Sequence, residues 1–162
     1  MAIFRAMRTR HGIRRLPALA VAATAVALIA GACNKNQFEN IGGAQLTKGT
    51  AHVEVTGGAE VTYDAPLDRA QVGSAVTVFV YKTESNDLFS IVGFGLEETA
   101  KTSNSLPLVI TAGDVFATSA EGECTITLTH GDDNAENGTA SCTDLDSNKG
   151  PIDVEATFSA TP

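Results

Sequence analysis

The sequence predicts an all-β protein: an antiparallel β-sandwich of about eight or nine short strands, preceded by a cleaved N-terminal signal helix. Three observations carry this. Apolar residues recur with a period of two, not 3.6. Turn-forming pairs punctuate the runs every few residues. No helical pattern stands out after the leader, although Leu96–Thr102 has room for one turn.

The clearest alternating runs set the frame. Val53 and Val55 alternate with His52, Glu54 and Thr56. Val76, Val78 and Val80 alternate with Thr77, Phe79 and Tyr81, so that strand is apolar on both faces. Such a strand is either covered on both sides or offers an apolar groove. Cys124, Ile126 and Leu128 alternate with threonines, and Ile152, Val154, Ala156 and Phe158 alternate with polar residues. Shorter strands are expected near Glu60–Asp64, Leu88–Phe94, Leu106–Thr111, Asp114–Ser119 and Gly138–Thr143. Turns are expected at Gly57-Gly58, Asp64-Ala65-Pro66, Asn86-Asp87, Ala112-Gly113, Gly131-Asp132-Asp133 and Asn148-Lys149-Gly150-Pro151.

The leader has a different character. Residues 1–15 hold five arginines and no acid; residues 16–32, LPALAVAATAVALIAGA, hold no charge. Basic region, apolar core and small residues form the order of an export signal. The apolar run is short for a membrane span. Met7 is an equally adequate start. Arg14-Arg15 admits the twin-arginine route without the expected Phe-Leu after it. Two cleavage readings overlap at the end. Ala30-Gly31-Ala32 fits a plain secretion site. Ile29-Ala30-Gly31-Ala32-Cys33 resembles the lipobox of bacterial lipoproteins. That resemblance implies a diacylglyceryl thioether on Cys33, cleavage before it, further acylation such as palmitate, and attachment to the bacterial cell membrane with the domain on the extracytoplasmic side.

The predicted organisation is therefore a signal peptide at 1–32, a lipidated Cys33 with a polar tether at 33–50, and a β-sandwich at 51–162. From Cys33 onward six basic residues face nineteen acidic ones, a charge of about −13. Such a domain repels nucleic acid, and no basic stripe offsets this.

Three cysteines in an exported chain is an odd count. With Cys33 lipidated, Cys124 and Cys142 remain to pair in an oxidising exterior. A hairpin of strands Cys124–Thr129 and Gly138–Cys142 would set them opposite each other. Asn137-Gly138 offers a competing turn.

Sites of chemistry are sparse. Asp144, Asp146 and Asn148 alternate as oxygen ligands do in calcium loops, but Lys149 stands where an EF-hand needs glycine. Asp132, Asp133, Asn134 and Glu136 read as a second solvated acidic loop. His52 and His130 read as exposed and follow no zinc spacing. No hydrolase elbow, zinc-protease helix or phosphate loop is present in the sequence. The expectation is a non-enzymatic, cofactor-free, monomeric envelope protein that binds another component. Alternatives are a carrier of a small apolar ligand or lipid between the sheets, and a calcium-binding surface domain. The segment from Gly138-Thr-Ala-Ser-Cys142 to Ile152-Asp-Val-Glu-Ala-Thr-Phe158 resembles the C-terminal strand pair of the mycobacterial 19 kDa lipoprotein antigen family. It departs from that pattern where the chain ends Ala160-Thr161-Pro162 without a cysteine. The resemblance implies a similar architecture, not a function.

Overall fold

The computed structural model describes residues 43–73, 76–93, 101–103, 107–120, 122–131 and 134–162. The leader, Cys33 and most of the expected helical turn lie outside them. Eleven strands are described: β1 (Ala44–Leu46), β2 (Lys48–Gly57), β3 (Val61–Val72), β4 (Thr77–Lys82), β5 (Leu88–Gly93), β6 (Lys101–Ser103), β7 (Leu108–Ala112), β8 (Val115–Thr118), β9 (Cys124–His130), β10 (Glu136–Ser147) and β11 (Gly150–Thr161). Residues 44–50, expected to be tether, are thus largely strand.

The sheet closes on itself, which corrects the sandwich to an eight-stranded antiparallel β-barrel. Strand β11 pairs with β10 along one edge and with β2 along the other. β7 pairs with β8 and β6 with β9, so β6–β7 and β8–β9 are the two interrupted arms of one long hairpin. β10 spans the interruption, pairing with β9 through residues 136–142 and with β8 at Ser147. The wall therefore runs in chain order: β2, β3, β4, β5, β6–β7, β8–β9, β10, β11. Period two could not separate this from a sandwich, because both architectures bury one face of each strand. Closure is decided by Lys48 meeting Thr161, residues at opposite ends of the domain.

Long strands make the closure possible. β3, β10 and β11 have twelve residues each, and strands of that length must bend to follow a barrel. β10 bends at a bulge between Cys142 and Leu145, where Asp144 takes a φ of 54°. β3 shifts register between Leu67 and Arg69. The expected turn at Asp64-Ala65-Pro66 is instead inside β3. Pro66 stands where β3 passes from pairing with β2 to pairing with β4, next to that irregularity. Proline is tolerated in sheets at such places, since it has no N–H to give to a ladder. Asn137-Gly138 is likewise inside β10, not at a turn.

Side chains fill the barrel. Phe79, Tyr81, Phe89 and Phe158 meet with ring centroids 5.4–6.0 Å apart. Val53, Val55, Ile91, Ile110, Ile126, Leu145, Ile152 and Val154 surround them, all buried. The Tyr81 hydroxyl donates to the Ser159 carbonyl at 3.0 Å, so the one polar atom of the cluster is satisfied. Phe158 reaches its place by lying across Gly138, its partner on β10. A Cβ at Gly138 would sit 2.2 Å from the tip of the Phe158 ring. β4 is covered on both faces: Phe79 and Tyr81 face inward, while Val78 on the outer face is only 5% exposed. The outer face of β4, β5 and β7 is therefore covered, not an open groove; Ser90 and Val109 on it are buried too.

Gly138→Ala should evict the Phe158 ring and cost about 1–3 kcal/mol, the range for overpacking a well-filled core. Equilibrium urea unfolding measures it. Adding Phe158→Leu to the Gly138→Ala chain should then cost less than Phe158→Leu alone, because the two positions contend for one space.

Candidate functional site

The meander has an even number of wall strands, so both ends of the described chain lie at one end of the barrel. Thr47 N–H donates to the Thr161 carbonyl there at 2.8 Å. The connections β3–β4 and β9–β10 share this terminal end. The opposite end is a rim of four tight connections: β2–β3, β4–β5, β7–β8 and β10–β11.

The rim connections are tied to one another by polar side chains. Asp87 accepts the Gly113 N–H at 2.7 Å and the Thr83 hydroxyl at 3.0 Å, joining the β4–β5 and β7–β8 connections. The Gly113 N–H is the main reason the Asp87 carboxyl is held below the usual carboxylate range. Asn148 accepts the Phe116 N–H and donates to the Asp114 carbonyl, each at 2.7 Å. Lys149 pairs with the Asp114 carboxylate, which lowers that acid's pKa. Gly58 N–H donates to the Pro151 carbonyl at 2.9 Å and brings in the β2–β3 connection. Asn86 adopts a φ of 72°, as the tight β4–β5 turn requires.

The calcium candidates Asp144, Asp146 and Asn148 fall in β10 and in the turn that follows it. Asp144 and Asp146 lie in β10 with exposed side chains, and Asn148 has both its side-chain polar atoms on backbone groups of the neighbouring connection. Through that side chain Asn148 joins the β10–β11 and β7–β8 connections. Among the described residues no group of three or more His, Cys, Asp and Glu side chains is placed to hold a metal ion. The turns expected at Asn86-Asp87 and Asn148-Lys149-Gly150-Pro151 lie at the rim, and the Asp87 and Asn148 side chains reach across from them to the β7–β8 connection, which the turn signal alone does not show. Phe116, on β8 at the rim, was missed. It is the one large apolar side chain recorded as exposed among the described residues, at 45%.

Cys124 and Cys142 form a disulfide and are directly opposed in register, with Cα atoms 4.2 Å apart. Both are buried with Ile126 and Leu128. They sit beside the place where β10 changes partner from β9 to β8, fastening the interrupted arm to its neighbour. Closing a loop of separation 18 contributes about 3 kcal/mol in the chain-entropy model.

The two histidines differ. His52, on the outer wall, lies between Asp64 at 2.7 Å and Glu54 at 3.3 Å. The Asp64 contact, then Glu54, raises its pKa above 6.5. Both ring nitrogens are engaged, so this imidazole is poised neither as a base nor as a ligand. His130 contacts Glu136 at 2.6 Å. Glu136, expected in a solvated loop, is buried at the terminal mouth, opposite His130 and Ala160 in register. The rest of the outer wall over β9, β10, β11 and β2 is polar, with Thr125, Thr127, Thr139, Thr157 and Glu54 in adjoining register.

Compared with protein-family models, curated proteins and solved structures, the chain matches none.

Asn148→Ala should lower stability by about 1–2 kcal/mol, since two hydrogen bonds to backbone are lost at a partly solvated site. Amide exchange at Phe116 should quicken in the same variant. The His52 imidazole should titrate above 6.5 by NMR, and Asp64→Asn should move its midpoint down. Because the folded pKa is raised, the stabilisation from this group is complete below the unfolded value near 6.5. It is lost as pH rises through the folded value.

Proposed function

We propose that the protein is a bacterial envelope lipoprotein, held on the membrane by acyl chains on Cys33, whose barrel serves as a binding or structural module on the extracytoplasmic side. The observation that carries this reading is the cysteine count. Cys124 and Cys142 are joined inside the barrel, so Cys33 alone is left over. It stands directly after the basic leader, the uncharged run and Ala30-Gly31-Ala32. A thiol left single in an exported chain calls for a dedicated use, and lipidation supplies one.

The folded part supports the same division of labour. The chain enters the barrel at Gly43–Ala44, which leaves residues 34–42 as the spacer. Each buried methylene contributes about 0.8 kcal/mol, so one acyl chain binds only reversibly and two or three hold firmly. A binding role on the surface suits a barrel whose interior is taken up by four aromatic rings. Eight strands give an interior just wide enough for side chains to fill. The 19 kDa antigen resemblance belongs to this same proposal, as an architecture shared at most in part.

Fatty-acid labelling and membrane fractionation test it together. The wild-type chain should take up label and sediment with membranes; Cys33→Ala should take up none and either stall before processing or appear in the soluble fraction. Cys142→Ala should remain labelled and anchored while melting at a lower temperature. A Cys33→Ala chain of normal mature size that stays on the membrane would overturn the anchor.

A further inference from the structure

We infer that the barrel stands on the bilayer by its terminal end, with the rim of four connections, Phe116 among them, turned away from the lipid. This rests on the anchor proposed for Cys33.

The exit point is fixed. β1 is paired to the end of β3, with Ala44 opposite Val72, and Leu46 is buried in the core. Gly43 packs so closely on this edge that a Cβ there would lie 2.4 Å from the Val72 carbonyl oxygen. The tether therefore leaves from one place, at the end of the barrel opposite the rim.

Length then decides the orientation. A strand of twelve residues is about 40 Å long. Tilted by roughly 35–45° in a barrel it spans about 30 Å between rim and terminal end. Nine residues, and so ten Cα–Cα steps, separate Cys33 from Gly43; fully extended these steps reach about 35 Å. As a flexible chain their typical span is about 18 Å. Standing on its terminal end, the barrel leaves the tether slack. Lying rim-down, it would lift the exit point about 30 Å off the lipid and draw the tether nearly straight, against its entropy.

The chain has no tryptophan, so single tryptophans report position by energy transfer to a dansyl-headgroup lipid. Phe116→Trp and Glu84→Trp mark the rim; Pro162→Trp and Thr161→Trp mark the terminal end, with two variants at each end so that one misfolded chain does not decide the result. The processed, lipidated full chain is purified from membranes and reconstituted into phosphatidylcholine vesicles. Transfer from 161 and 162 should exceed that from 116 and 84 severalfold. Equal transfer, or more from the rim, in vesicle-bound protein overturns the orientation while leaving the anchor standing. No vesicle binding, with no transfer from any position, overturns the anchor and the orientation with it.

Discussion

The barrel depends on β11 pairing along both edges. From Ile152 to Thr161 it is bonded to β2, from Gly57 back to Lys48, and along its other edge it is bonded to β10. Without the β2 pairing the meander would be an open sheet with two long exposed edges, each a template for another chain. With it those two long edges are paired to each other, and the inward side chains face one another across a closed interior. The pairing joins residues about a hundred positions apart, so it is the costliest in chain entropy and is repaid only when the whole wall is in place.

That dependence explains two features that would otherwise look incidental. The first is the place of the disulfide. The long hairpin is described in two pieces on each arm, β6 and β7 on one and β8 and β9 on the other. Cys124 opens β9 just after this interruption and is bonded to Cys142 on the uninterrupted neighbour. The second is Gly138. A closed barrel with four clustered rings needs a recess for one of them, and removing a side chain from the strand beside Phe158 provides it.

Much of this was legible in the sequence, and the limits have physical causes. Alternation located most of the strands, because a half-buried strand must alternate whatever sheet it joins. The opposed cysteines could be read because a hairpin register is local. Closure could not, since Lys48 and Thr161 carry no signal of each other. Strand ends were misjudged where composition resembled a turn or a tether: Pro66 and Gly138 are strand residues because of what lies across from them. Asn148 looked like an oxygen ligand because Asx side chains serve cations and backbone amides with the same atoms; only the nearness of Phe116 and Asp114 distinguishes the two uses. Glu136 looked solvated because what lies beside it, His130 across a connection and Ala160 on β11, is not its neighbour in sequence.

The rim and the terminal end are unlike for one reason, the parity of the meander. Eight antiparallel wall strands in chain order bring both ends of the domain together and leave short connections at the other end. Short connections can be tied to each other by side chains such as Asp87 and Asn148, so the rim is stiff. A stiff end holds an exposed ring such as Phe116 in one place. On the anchor proposed for Cys33, this most ordered surface would lie farthest from the lipid. In this barrel the rim half exposes Glu60, Glu84, Asp114, Asp144, Asp146 and Asp153 against Lys82 and Lys149, so its stiffest surface carries a negative sign.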